Sequence, residues 1–181
     1  DFAIAGGSEN MSRSPFVLSD ARWGAKMGDV RSLDMMLGAL NCPFGTGHMG
    51  VTAENVAAEH QITRADQDTF ALESQNRAAT ATTAEALAGL RAVFQKDGTV
   101  TAGNASGIND GAAALVLARG QAAQSAGLKP RARITGDAVA GVRPEVMGIG
   151  PVPAVRKLMD RTGQTIDSFD VIESNEAFAA Q

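Results

Sequence analysis

Apolar and polar positions follow two rhythms along this chain. Residues 1–7, DFAIAGG, alternate and then run apolar until Gly6 and Gly7, which predicts a buried strand meeting a turn. A chain that opens inside a strand is expected to continue before Asp1. From Ser8 to Phe16 the mixture of Ser, Asn, Arg and Pro reads as loop. Residues 21–40, ARWGAKMGDVRSLDMMLGAL, then alternate short helical turns with glycine breaks, as irregular, ligand-facing structure does.

Helical spacing follows. In VTAENVAAEHQ, Thr52 is read as an N-cap, with Glu54 in the first turn where a carboxylate suits the helix dipole. Thr63 and Asp66 form a capping-box start for RADQDTFALESQNRAAT. Thr82 and Glu85 form a second such pattern before AEALAGL, yet no turn residue separates it from the preceding helix. Either the two helices fuse, or the chain joins segments that are not neighbours in the natural polypeptide.

The second half alternates elements. GAAALVLA, after the Asn109-Asp110-Gly111 turn signal, is a buried-strand candidate. RGQAAQSAGLKP fits a short helix closed by Gly127, with Leu128 as the apolar contact and Pro130 beyond. ARITGDAVAGV reads as a strand. PVPAVRKLMDRTG is a helix with prolines at its start, Val155, Leu158 and Met159 on one face, and Gly163 at its end. DVIESNE is the last expected strand, and the alternation is that of an α/β protein.

Composition narrows the function. With 181 residues, 44% hydrophobic and 20% charged, the chain is globular and long enough for one full core or pieces of two. Glycine, 20 residues, exceeds the usual share of about 7% and predicts tight turns and close backbone approaches. The net charge of -4, without a stripe of Lys and Arg, argues against nucleic acid. No apolar run approaches the ~20 residues of a membrane span, so a soluble cytoplasmic protein is expected. Cys42 is the sole cysteine, and His48 and His60 cannot complete a zinc set, so no metal is expected.

Candidate chemistry is local. AIAGGSENMS and TAGNASGINDGAA are glycine-rich but carry neither G-x-G-x-x-G between strand and helix nor G-K-[ST]; close backbone packing explains them better than phosphate binding. Cys42 lies before Pro43 with no base beside it and reads as inert. His48, in GTGHMG, is flanked by glycines and reads as a ligand contact, whereas His60 faces solvent at a polar helix end. Asn175, at the end of a predicted strand, is placed to orient a water or donate to an oxyanion; an Asx turn capping the next helix is the alternative.

Together these motifs resemble one family. ESNEAFAAQ is similar to the thiolase signature around its catalytic asparagine, and AGGSENMSRSPF, GHMGVTAENVA, DGTVTAGNASGINDGAAAL and MGIGPVPA resemble thiolase segments in the same order. ARWGAKMGD and LDMMLGAL look most like bacterial β-ketothiolases. The resemblance implies an α/β thiolase fold of layered αβαβα type and a reversible Claisen condensation: two acyl-CoA molecules give a 3-ketoacyl-CoA and free CoA, with no cofactor. It implies that Asn175 holds the oxyanion water, with Ala177 and Phe178 beside the substrate. It further implies that Leu40, His48, Met49, Phe94, Ala102 and Ser106 lie around the CoA pantetheine and Met147 in the pocket wall. Acyl-CoA and CoA are the implied partners, and a homotetramer or dimer the implied assembly.

Departures from the family pattern also matter. Its nucleophilic cysteine, GHP histidine and second cysteine match no position here, and Cys42 fits neither cysteine motif. A few dozen family residues, including basic ones expected near the CoA phosphates, are missing near 80–82, which accounts for the restarted helix. The expected division is 1–10 as the end of the N-terminal half, 11–105 as a trimmed loop domain returning into the core, and 106–181 as the remainder of that half and the start of the C-terminal half. The rival expectation is a non-catalytic acyl-CoA-binding or structural thiolase-like protein.

Overall fold

The computed structural model describes residues 2–78 and 82–181. Asp1 and the expected interruption near 80–82, in so far as it falls on 79–81, lie outside the described residues. In chain order the elements are β1 (Phe2–Glu9), β2 (Phe16–Val17), β3 (Leu33–Asp34), α1 (Met35–Ala39), β4 (Asn41–Cys42), β5 (Gly47–His48), α2 (Met49–Glu59), α3 (Arg64–Arg77), α4 (Ala84–Ala88), β6 (Gly111–Ala118), α5 (Gly120–Ser125) and α6 (Pro151–Thr162). Short 3-10 turns occupy Met11–Arg13, Ser19–Trp23, Pro144–Ile149 and Ile166–Ser168. The chain divides into two units, Asp1–Met36 with Ile108–Asp137, and Leu37–Gly107 with Ala138–Gln181.

In the first unit β1 and β6 form an antiparallel ribbon in full register, from Phe2 opposite Ala118 to Glu9 opposite Gly111. Ser12 anchors the ribbon's end, donating from its amide and hydroxyl to the Asp110 carboxylate at 3.0 and 2.6 Å. Both strands were expected to be buried, and neither is. Ile4 is 82% exposed and Val116 70%, because a two-stranded ribbon has no layer of its own to cover either face. The 16–36 arm adds the β2–β3 pair, with Gly24 and Gly28 at the predicted breaks.

The second unit holds the core. Ala53 and Ala57 of α2 pack with Val100 and Ala180, flanked by Ile62, Phe94, Ala105 and Phe178. The capping box at Thr63 and Asp66 forms as predicted: Asp66 Oδ2 accepts from the Thr63 amide at 2.9 Å, and Thr63 Oγ1 accepts from the Asp66 amide at 3.2 Å. Arg64 then clasps α4, donating to the carbonyls of Leu87 and Leu90 while its Nε pairs with Asp68 at 2.6 Å.

Four expectations need correction. α2 is capped by His48, with Thr52 and Glu54 inside the helix, because the His48 imidazole accepts from the Gly50 amide while the Thr52 hydroxyl donates back to the Met49 carbonyl. α4 is capped by Thr83, which accepts from the Ala86 amide, so the start lies one residue beyond the Thr82 pattern. Residues 132–142 and 170–176 were expected as strands, yet neither forms one, and Val139 and Val171 are 80% and 83% exposed. Among the described residues no ladder partner lies beside either segment, and β propensity without a partner makes no strand. α5 and α6, by contrast, end at the predicted glycines, Gly127 and Gly163, both left-handed.

The capping box generates a stability test. Thr63→Ala is expected to lower unfolding free energy by about 1 kcal/mol, with Thr63→Ser recovering most of it. Denaturant midpoints at constant m-value measure this; an unchanged midpoint contradicts the cap's role.

Candidate functional site

The candidate residues gather around the start of α2 and the segments packed on it. The β4–β5 hairpin, pairing Asn41 with His48 and Cys42 with Gly47, turns the chain into the helix. The Met49 amide donates to the Leu40 carbonyl at 2.8 Å, so Leu40, His48 and Met49 form one rigid corner. Cys42 is buried in this hairpin, where the Thr46 hydroxyl and Phe44 amide hold its pKa below the usual thiol value. The negative charge of Glu145 acts in the opposite direction, raising it.

His48 is committed at one nitrogen. Its Nδ1 accepts from the Gly50 amide at 2.9 Å, leaving Nε2 to carry the proton of the neutral ring. The imidazole stacks on Phe94 with centroids 4.6 Å apart, and Phe94 meets Phe178 edge-on at 6.3 Å. A side chain at Gly50 would place its Cβ 2.2 Å from the Phe94 ring, so only glycine admits this stack.

Ser106 and Asn175 line a single open cleft of about 700 Å³ with Ser74, Gln75, Gly103 and Glu176. Two backbone bonds hold the cleft's two strips together: the Ser106 amide donates to the Ala177 carbonyl at 2.9 Å, and the Ala179 amide to the Asn104 carbonyl at 2.8 Å. A β-bridge between Ala105 and Phe178 lies between them. From the other side, Ser74 Oγ donates to Glu176 Oε2 at 2.5 Å, tying the residue after Asn175 to α3. The structure therefore brings Ser106, Asn175, Ala177 and Phe178 together, and His48 joins them through Phe94.

Ala102 and Met147 do not line the cleft. Ala102 sits exposed in the 101–103 turn, and Met147 lies on the 3-10 turn that α2 holds through Asn55, whose amide donates to the Glu145 carbonyl at 2.9 Å. An ion pair between Arg143 and Glu59 at 2.6 Å fastens the same turn.

Glu54 escaped the sequence reading as a site element. It is 5% exposed, and its carboxylate accepts from the amides of Thr99 and Val100 and from the Thr99 hydroxyl, all at 2.8 to 2.9 Å. The signal that finds it is a carboxylate on the apolar stripe, beside Ala53 and Ala57 rather than opposite them.

The family profile described as the thiolase N-terminal domain matches residues 1–84 and 79–121, and that of the thiolase C-terminal domain matches 128–181. The chain belongs to the thiolase family. Beta-ketothiolase BktB of Cupriavidus necator is 48% identical over 215 residues, covering all of this chain and 55% of that protein. Beta-ketoadipyl-CoA thiolase of Pseudomonas putida is 46% identical over 220 residues, with the same coverage. Among solved structures, the acetyl-CoA acetyltransferase from Syntrophomonas wolfei superposes with a TM-score of 0.95 at 37% identity, covering 99% of this chain and 53% of that one. Human mitochondrial 3-ketoacyl-CoA thiolase in complex with CoA gives 0.91 at 36% identity, covering 99% and 53%. The fold is thus the α/β fold of thiolases, and this thiolase chain spans about half the length of the curated relatives it matches.

Burial lowers the His48 pKa below the ordinary imidazole value of about 6.5. A lowered folded-state pKa means that the cap's stability is present above about 6.5 and is lost as pH falls through the folded value, since protonated Nδ1 cannot accept from Gly50. His48→Asn keeps an N-cap acceptor that does not titrate. Stability followed by denaturant melts is therefore expected to fall less steeply below pH 6.5 in His48→Asn than in the wild type. Parallel pH profiles would show that the His48 cap does not contribute.

Proposed function

We propose that the whole protein is a thiolase of the bacterial β-ketothiolase type, an acetyl-CoA C-acyltransferase that condenses two acyl-CoA molecules to a 3-ketoacyl-CoA plus CoA and runs the reverse thiolysis. One observation carries the reading: Asn175 and Ser106 face one cleft on strips locked by the Ser106–Ala177 and Ala179–Asn104 bonds. An amide held on such a strip is a preorganised donor for the oxygen of a thioester as it gains charge, directly or through a water. A donor of this kind contributes roughly 3 kcal/mol to lowering the barrier.

Ser106, Leu40, Met49 and the His48–Phe94 stack supply the mixture of apolar bodies and few polar tips that grips a long, mostly uncharged pantetheine arm. With Nδ1 occupied, His48 offers only a donor, Nε2–H, and so suits an amide or thioester carbonyl. Ala177 and Phe178 lie beside the acyl group, while Ala102 and Met147, which lie off the cleft, serve only as outer contacts of the CoA substrate. CoA thioesters are the substrates and no metal or organic cofactor takes part. The thiolate that carries the acyl group and the groups that move the α-proton are not supplied by residues 1–181.

The domain reading is proposed as well, with 11–105 as a shortened loop domain. It is supported by the N-terminal profile matching in two pieces that meet at 79–84, and by an alignment of 215 residues to a chain of 181. A homo-oligomer is the proposed assembly and the cytoplasm the proposed location, where a catalytic thiolate stays reduced.

In the whole protein, Asn175→Ala is expected to lower kcat for thiolysis by about 100- to 1000-fold while the KM for CoA stays within a few-fold, because the amide acts on the transition state. Wild-type turnover in the variant removes Asn175 from the mechanism. CoA binding without any turnover in the wild type favours the non-catalytic reading.

A further inference from the structure

Glu54 is buried, and among the described residues no cation pairs with it; four hydrogen bonds from two consecutive residues satisfy it instead. The Thr99 amide is shared between Oε1 and Oε2 at 2.9 and 2.8 Å, the Val100 amide donates to Oε1 at 2.8 Å, and the Thr99 hydroxyl donates to Oε2 at 2.8 Å. Gln67, 1% exposed, completes the chain by donating from Nε2 to Thr99 Oγ1 at 2.8 Å. The loop is shaped to meet the carboxylate. Asp97 takes a left-handed φ of 59°, and a Cβ at Gly98 would fall 2.3 Å from Glu54 Oε1.

From this clamp, bonds lead to both parts of the site. The Val93 amide donates to the Val100 carbonyl at 3.1 Å, which seats the neighbouring Phe94 on His48. In the other direction Asn104 donates to the Thr99 carbonyl at 3.0 Å, accepts from the Thr101 amide at 2.7 Å and donates to Asp68 Oδ1 at 3.0 Å. Its own carbonyl receives the Ala179 amide at 2.8 Å, which fixes the strip carrying Asn175. Glu54 touches neither cleft nor aromatic stack, yet both are built outward from the two amides it holds.

We propose that Glu54 is a positioning residue for the condensing site, setting where Asn175 stands relative to Ser106 and the CoA-facing stack through Thr99, Val100 and Asn104. This rests on the thiolase reading above and adds to it a residue that never meets the substrate. Replacing the carboxylate by an amide of the same shape puts an NH2 against backbone donors and shifts the 99–104 loop. A displacement of the order of 1 Å in a reacting geometry costs about 100-fold in rate.

The test is a double-mutant cycle on kcat for thiolysis in the whole protein, at a temperature well below every variant's unfolding midpoint. Glu54→Gln is expected to lower kcat about 100-fold in the wild-type background and by less than about threefold in the Asn175→Ala background, because its effect runs through the residue already removed. Should Glu54→Gln fail to fold, Thr99→Val keeps the amide while deleting the hydroxyl between Glu54 and Gln67, and is expected to show the same background dependence with a loss of about tenfold. A kcat equal to wild type in the folded Glu54 variant, or equal losses in both backgrounds, overturns the positioning role. A wild-type protein without thiolysis instead overturns the thiolase reading itself, so the two failures are told apart.

Discussion

The constraint on which the second unit depends is a carboxylate that left water. Removing Glu54 from solvent costs several kcal/mol unless its lone pairs are met, and here they are met by main-chain amides rather than by a cation. The dependence runs both ways, since Thr99 and Val100 lie in a loop with no ladder of its own, and the buried Val100 amide left without an acceptor would cost about 1–3 kcal/mol. Helix and loop are therefore stable only together. Val100, fully buried, is drawn by that bond into contact with Ala53 and Ala57, so the polar clamp and the apolar core close in one step.

Helix α2 acts as a hub because neighbouring helical positions point about 100° apart. Glu54 reaches the 98–100 loop, while Asn55 holds the Glu145 carbonyl of the turn bearing Met147. Glu59, four residues beyond Asn55 and so on the same face, pairs with Arg143 and secures that turn again. At the helix start, the small residue at Gly50 leaves room for Phe94 to cover the capping imidazole. One short segment of sequence, HMGVTAENVAAE, thus assembles the corner of Leu40, His48 and Met49 and the two loops that flank it.

What the sequence showed follows the range of the interactions. The Thr63–Asp66 box and the glycine ends of α5 and α6 depend on residues within a turn of one another, and they were legible. The N-cap of α2 was misplaced because an imidazole replaces the hydroxyl or carboxamide that usually signals a cap, and Thr52, a plausible signal, bonds back to the Met49 carbonyl instead. Glu54 was legible as an acid near a helix start, but its partners lie 45 and 46 residues away and no spacing rule joins them. Residues 132–142 and 170–176 carry strand-like patterns, and pattern alone does not supply the neighbouring strand that a ladder requires. Of the candidate site, the motifs supplied only candidate residues; that Ser106 and Asn175 share a cleft, and that Phe94 links His48 to Phe178, emerged only in three dimensions.

Amide hydrogen exchange at Thr99 and Val100 tests the clamp most directly, because among the described residues only Glu54 accepts from these two amides. The expected result is protection comparable to that of mid-helix amides of α2, lost selectively on replacing Glu54 by glutamine. Exchange at the rate of open loop amides in the wild type would contradict the account, since the site would then be assembled without the carboxylate at its base.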